Sequence, residues 1–470
     1  MADSNSAPAP DARADIVYSI DEVPPVGESI ALGFQHYLTM FGATVAIPLI
    51  LAGPLGLEDK VELGMLIGTM FLVSGIATLL QTTLGNRLPI VQGGSFAFLG
   101  PAFAICGMAE LSDAGWQVRM QHLQGAIIIG ALAEIGFGYL GLVGRLVRFI
   151  SPIVIAPTVA LIGLSLFEIG APSAGKNWWI GGLTIALIIL FSQYLGKRHR
   201  FLSLFPIMLA ILLAWAVAGL GTAMGWFDAG DPAIVDLAPV ATAPWFRVPY
   251  PLQWGWPVFG VAAAVGMLAG YLASMVESIG DYYACARLSG APLPTRKLVD
   301  RGIGMEGIGC LIAGLFGTGN GSTSYSENIG AIGLTGVGSR RVIQVGALLM
   351  IGLALVGKFG AVFSTIPEPI VGGMYCAMFG MIVAVGLSNL QHVDLNAARN
   401  LFIIGFAFFM GLSLPAYFKA SPLSFEPAWV ANLLNTVGST GMAVGAIVAT
   451  FLDNTIPGTR KQRGLEAWHG

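Results

Sequence analysis

Glu277 and Asp281 stand four residues apart in a stretch, 258–286, that is otherwise mostly apolar. Glu327 and Asn328 open a second, shorter apolar run, just after the Gly/Ser/Thr/Asn-rich residues Gly319 to Ser326. A spacing of four on a helix puts both carboxylates on one face. Ionisable groups placed among apolar helices face a partner or a water-filled cavity, which makes these acids functional candidates. Two buried acids one turn apart repel each other, and burial penalises the charged form, so one of the pair is expected to hold a proton near neutrality. The same pair offers oxygens to a sodium ion. The residues before Glu327 are rich in helix caps, so a short helix is expected to start near Ser326 or Glu327, with its first N–H groups pointing into the protein. Glu134, Glu168 and Glu306 are weaker candidates, because they lie nearer helix ends or lack a second polar neighbour.

The elements that position these residues follow from composition. Of 470 residues, 55% are hydrophobic and 10% charged, with a mean hydropathy of +0.76, too apolar to cover the surface of a soluble domain. The chain reads as an all-α polytopic membrane protein. From Glu28 onward fourteen apolar segments are counted, at 28–52, 61–83, 90–109, 122–144, 151–170, 178–195, 202–225, 258–286, 301–317, 323–334, 342–363, 369–388, 398–417 and 429–452. Most approach the roughly 20 residues a crossing helix needs. The third and tenth open with Gln92-Gly-Gly-Ser95 and Gly321-Ser-Thr-Ser324, and short extended stretches are expected there. Residues 1–26 are polar and Pro-rich, without a secretory signal pattern. Cys106, Cys285, Cys310 and Cys376 lie in apolar runs without metal spacing and read as packing residues.

With both termini cytoplasmic, 17 of the 23 Lys and Arg residues, Arg13 and Arg148 among them, fall inside and 6 outside, as the positive-inside rule asks. Leu142-Val-Gly-Arg145 recurs as Leu355-Val-Gly-Lys358, and Pro152-Ile-Val154 as Pro369-Ile-Val371. Fourteen segments halve to an odd seven, so the expected halves are inverted repeats, and broken segments at matching places in both halves point to a midplane site.

These motifs resemble a known family. Glu327-Asn-x-Gly330, followed by Thr335-Gly336, is similar to the signature of the nucleobase/ascorbate transporters (nucleobase-cation symporter 2 family). Gln35-His36, Gln92-Gly-Gly-Ser95-Phe96-Ala-Phe98 and Glu277-Ser-Ile-Gly-Asp281 resemble that family's first, third and eighth segments, in the same order. The resemblance covers about residues 28 to 455, and the wording from Glu277 to Asn400 is especially near the animal branch. It implies two inverted seven-helix repeats arranged as a core (28–150 and 258–364) and a gate (151–227 and 365–455), between cytoplasmic tails at 1–27 and 456–470. It implies Glu277 and Glu327 as substrate ligands, Phe96 stacking on the substrate ring, and groups near Ala43, Ser95 and Ser326 completing the site. Asp281 joins Glu277 in ion coupling; Gln35, His36 and Asn328 form a supporting network, and Thr335 lies along the path.

The resemblance further implies a plasma-membrane or inner-membrane symporter with elevator-like access, dimeric through the gate. It implies no cofactor, no resident metal and no nucleic-acid partner; its partners are a small substrate and the bilayer. A nucleobase is a flat heterocycle whose edge alternates N–H donors and carbonyl acceptors, which carboxylates and half-helix N-termini match. Ascorbate is an anion that two carboxylates would repel, and ascorbate carriers have Pro and Lys where Glu327 and Gly336 stand here. The expected cargo is therefore uracil or a purine such as xanthine, with protons as the coupling ion, because Gly94 leaves only the Ser95 hydroxyl nearby and sodium wants about six oxygens. A sodium-coupled nucleobase or ascorbate symporter is the alternative. An enzyme is disfavoured because the longest outer loop, 228–257, holds acids but no His, Cys or Lys.

Overall fold

The computed structural model describes residues 16–146 and 149–465, so Arg13, Arg148 and the ends of both tails lie outside the described residues. Its helices run α1 (Val26–Leu55), α2 (Lys60–Thr83), α3 (Leu99–Cys106), α4 (Trp116–Tyr139), α5 (Val143–Leu146), α6 (Pro152–Leu164) and α7 (Phe167–Gly175). They continue with α8 (Trp178–Ile189), α9 (Arg200–Leu204), α10 (Pro206–Ala223), α11 (Ala238–Thr242), α12 (Val261–Leu288), α13 (Arg296–Phe316) and α14 (Ser326–Thr335). The last are α15 (Arg340–Ala354), α16 (Gly357–Ser364), α17 (Glu368–Ser388), α18 (Ala398–Ala420), α19 (Ala428–Gly438) and α20 (Gly441–Thr455). Two strands, β1 (Gln92–Gly93) and β2 (Thr323–Ser324), complete the set.

Local chemistry sets the boundaries. Asp59 caps α2 by accepting from the N–H groups of Val61 at 2.6 Å and Glu62 at 3.1 Å. Helix α14 stops where Gly336 turns to φ +72°, a left-handed conformation that glycine adopts without strain. Every apolar segment of the sequence carries helix, but several are divided, among them 202–225 into α9 and α10, 151–170 into α6 and α7, 342–363 into α15 and α16, and 429–452 into α19 and α20, bent by 89°. Backbone competition explains the last two. Gly357 N donates to Trp245 O at 3.0 Å across the α15–α16 break, and Ser439 and Thr440 turn their hydroxyls back onto Asn435 O and Thr436 O. Among the described residues eight helices are long and apolar enough to cross a bilayer, or nine if the bent pair is one span.

The helices pack in two groups. In one, α4 lies against α13, and α2 against α13, α15 and α16; in the other, α17 lies against α6, α7 and α8, while α20 lies against α6 and α18. Contact between α4 and α13 is backbone on backbone: a Cβ added at Gly138 would sit 2.2 Å from Gly304 N. Helix α18 presents Phe402, Phe406, Phe409 and Leu412 outward, a face suited to lipid.

The two interrupted segments meet. Strands β1 and β2 pair antiparallel, Gln92 opposite Ser324 and Gly93 opposite Thr323. Each runs within a few residues into a short helix, the 3-10 turn Phe96–Phe98 leading into α3 on one side and α14 on the other. Arg119 donates to Pro54 O and Leu55 O, Arg247 donates to Met65 O at 2.8 Å, and Arg340 pairs with Asp21.

Candidate functional site

Glu327 sits in the first turn of α14 and is exposed. It opens onto a cleft of about 220 Å³ between the two helix groups, walled by Ala43 and Thr39 of α1, Ala331 of α14, Pro206 of α10, and Met378 and Met381 of α17. The first turn of α14 is held in place by its neighbours. Asn328 Oδ1 accepts from Val91 N at 2.9 Å, which fixes the amide so that Nδ2 donates to His36 Nδ1 at 3.2 Å. That leaves the proton of the buried His36 ring on Nε2, which meets no protein partner. Tyr325 is anchored too: its N–H donates to Val91 O at 3.0 Å and its hydroxyl lies 3.3 Å from Thr44 Oγ1.

Opposite α14, the third segment is clamped by Asn320. Its Oδ1 accepts from Ser95 N at 2.8 Å and its Nδ2 donates to Ser95 O at 3.1 Å, while Ser95 Oγ caps the following turn at Ala97 N. Asp281 of α12 reaches α14 directly, accepting from Ser326 Oγ at 2.8 Å on Oδ1, with Oδ2 unpartnered. Glu277 stands one turn earlier on the same helix face as Asp281 and is half-buried.

Of the six residues expected to hold the substrate, the cleft takes in two. Ala43 and Glu327 line the cleft; Glu277, Ser95, Ser326 and Phe96 are not among its lining residues. The Phe96 ring is instead met edge-on by Phe379 of α17, 6.0 Å between centroids and 83° between planes, so a helix of the second group covers it. The backbone of Ser95 is occupied by Asn320, which corrects the expectation that it is free for a ligand. Gln35 is corrected as well. It is no part of the His36–Asn328 contact; successive residues diverge by about 100° around a helix, and Gln35 points into a neighbouring chamber shared with Thr335. A separate apolar crevice between α6, α12 and α20 holds no acid.

Glu306 overturns the low ranking it received from sequence. It lies at the middle of α13, fully buried, and its carboxylate accepts from Ser274 at 3.1 Å, from Ser278 at 2.7 and 2.8 Å on its two oxygens, and from Tyr282 at 3.1 Å. Gln81 of α2 in turn donates to Tyr282 OH at 2.7 Å. One carboxylate thereby ties α12, α13 and α2 together beside β2, whose Thr323 Oγ1 lies 3.0 Å from Ser278 Oγ. Ser274, Ser278 and Tyr282 recur every fourth residue along α12, but nothing in that pattern names Glu306, on another helix, as their partner. Cys310 does more than fill space: its thiol donates to Ser322 O at 3.2 Å and its sulfur accepts from Ser322 N at 3.1 Å. Glu168, by contrast, is at the surface, beside Lys419 at 3.5 Å.

Long apolar helices, two interrupted segments paired at their breaks and an acid, Glu327, facing a cleft between helix groups define a membrane transporter of the broken-helix kind. The comparisons agree. The family described as "Permease family" matches residues 27–420. Solute carrier family 23 member 2 of Mus musculus is 48% identical over 97% of this chain and 77% of its own length. Nucleobase-ascorbate transporter 1 of Arabidopsis thaliana is 40% identical over 98% and 94%. The transmembrane domain of a cyanobacterium bicarbonate transporter, BicA, superimposes with a TM-score of 0.57 at 14% identity, covering 90% of this chain and 99% of that one, a likeness of fold alone. The chain belongs to the nucleobase/ascorbate transporter family, a family of membrane transporters and not of enzymes.

Proposed function

We propose that this protein imports a nucleobase, uracil or a purine such as xanthine, by proton symport, with Glu327 and Glu277 as its ligands. The observation that carries this reading is Glu327, a carboxylate at a helix start, open to a cleft between two helix groups. A carboxylate accepts from the ring N–H groups of a neutral heterocycle, and the free N–H groups of the α14 first turn meet its carbonyls. Two acids at one site favour a neutral cargo over an anion. Asp281 and Glu277 carry the coupling proton, and Phe96 receives the ring once Phe379 withdraws.

In this reading the group holding α1–α4 and α12–α16 is the moving core and the group holding α6–α10 and α17–α20 the gate, in two inverted seven-segment repeats. Support for the repeats comes from the antiparallel β1–β2 pair and from Pro152 and Pro369, which both stand in the first turn of helices, α6 and α17, that pack together. The termini lie in the cytoplasm and the gate, with its exposed α18 face, dimerises. Sodium-coupled transport of a nucleobase or of ascorbate is the second reading, favoured by the 48% identity to a solute carrier family 23 member.

Uptake of radiolabelled uracil and xanthine into cells or vesicles, competed by an unlabelled panel that includes ascorbate, with sodium and pH varied independently, separates these readings. Uptake driven by sodium at constant pH, or competed by ascorbate alone, would replace the first with the second.

A further inference from the structure

The cleft at Glu327 adjoins a second chamber of about 520 Å³, and Leu38, Leu204 and Phe205 belong to the walls of both. The polar lining of this chamber is Tyr18, Glu28, Gln35 and Thr335. Tyr18 arrives from outside the helix bundle. The segment before α1 is laid along the turn that follows α14: Val17 N donates to Gly336 O at 2.8 Å, Gly338 N to Tyr18 O at 2.8 Å and Arg340 N to Ile20 O at 3.1 Å. Ser339 Oγ donates to Glu22 O at 2.5 Å, and Asp21 pairs with Arg340. This strap fixes the half-buried Tyr18 at the chamber wall, which it shares with Glu28.

The lining repeats the chemistry of the first site. An aromatic face, a carboxylate, a carboxamide that both donates and accepts, and a hydroxyl stand around one space, with Leu38 and Phe205 as apolar walls. A planar heterocycle with alternating donors and acceptors on its edge fits that set: its faces meet Tyr18 and the apolar walls, and its N–H groups meet the Glu28 carboxylate. We propose that this chamber is a second binding station for the transported heterocycle, on the route between Glu327 and the end of the protein that carries the N-terminal strap, with Tyr18 as its stacking residue. The inference rests on the nucleobase reading of the first site. The station is the weaker of the two, because Glu28 is exposed and water competes for it.

The test uses full-length protein reconstituted in vesicles, with radiolabelled uracil and xanthine presented separately at each face. Tyr18→Ala should raise the half-saturation concentration at the strap face by about ten-fold, the scale of one base–aromatic stack, and leave the opposite face at its wild-type value. Tyr18→Phe keeps the ring and should restore most of the strap-face affinity. Thermal unfolding of the purified variants checks that the strap is still docked, since its hydrogen bonds are made by backbone. Absence of uptake of either base by the wild-type protein would dispose of the parent reading and the station together. Wild-type uptake with Tyr18→Ala unchanged at both faces, or with both variants impaired equally at both faces, overturns the station alone.

Discussion

Ser326 Oγ donates to Asp281 Oδ1 at 2.8 Å, joining the first residue of α14 to the acid one turn beyond Glu277 on α12. The two residues lie 45 positions apart, and their contact means that whatever changes the charge on Asp281 also acts on the helix start that presents Glu327. A hydrogen bond to an ionised group contributes about 1.5–3 kcal/mol, and a carboxyl that takes up a proton accepts more weakly.

Asp281→Asn is therefore expected to leave nucleobase binding within about ten-fold of wild type while removing the dependence of uptake on the ion gradient. Ser326→Ala should give a partial version of the same effect. Counterflow in the absence of any gradient, which needs binding and reorientation but no net ion movement, should persist in Asp281→Asn. Loss of counterflow as complete as the loss of net uptake would show that Asp281 serves binding or folding instead.

Glu327→Gln replaces an acceptor-only group with one that presents both a donor and an acceptor. Affinity for the base should fall by about 10–100-fold, the equivalent of one charge-assisted hydrogen bond. Glu277→Gln should abolish transport. Equilibrium binding to purified protein measures the first and vesicle uptake the second, and normal values for both variants would remove these acids from the site.

Much of this arrangement was legible in the sequence, for reasons that also mark its limits. Glu277, Asp281 and Glu327 stood out because ionisable side chains are rare in apolar segments, and the breaks at Gln92 and Thr323 because glycine and hydroxyl residues interrupt helix-forming runs. Pairing between those breaks was not legible, since β1 and β2 lie about 230 residues apart and two residues of strand carry no periodicity. Glu306 was passed over because its partners Ser274, Ser278 and Tyr282 are on another helix, and a single acid in a string does not declare them. Gln35 and His36 were grouped because they are adjacent, although adjacency on a helix separates side chains. Coverage of Phe96 by Phe379 depends on how two groups of helices sit against each other, which no local pattern encodes.

That coverage makes a prediction of its own. An edge-on aromatic pair contributes about 0.5–1.5 kcal/mol beyond its buried area. Phe379→Leu should loosen the contact between α17 and the third segment and change the half-saturation concentration for uptake by a few-fold. Phe96→Ala, which removes the ring proposed to stack on the base, should weaken binding by about ten-fold or more. Direct binding to purified protein separates them: the Phe96 change acts on the ligand contact itself, whereas the Phe379 change acts on access. Equal loss of binding in both would mean that Phe96 matters only through its packing against Phe379.

Glu306 predicts a stability effect in place of a transport signature. Ser278 Oγ lies within hydrogen-bonding distance of both Glu306 oxygens and of Thr323 Oγ1, so Ser278→Ala leaves the buried carboxylate short of its nearest donor. A loss of about 1–3 kcal/mol is expected, larger than for Ser274→Ala, whose hydroxyl reaches only Oε1 at 3.1 Å. Thermal unfolding of the two variants in detergent gives the order, and the reverse order would show that Ser278 is not the principal donor.

The platform beneath that carboxylate depends on the absence of a side chain. Helix α4 approaches α13 so closely that a Cβ on Gly138 would lie 2.2 Å from Gly304 N and 2.4 Å from Gly304 Cα, both backbone atoms that cannot swing aside. Gly136, two positions away and turned to the other side of α4, has nothing within 4 Å of where its Cβ would be. Gly138→Val must therefore push α4 off α13 at Gly304, two residues from Glu306, with a cost above the roughly 1–3 kcal/mol typical of an overpacked core. Gly136→Val should fold and transport as wild type does. Expression yield and thermal unfolding of the pair test the packing; tolerance of valine at both positions would mean that the two helices have room to separate and that Glu306 is not held by their contact.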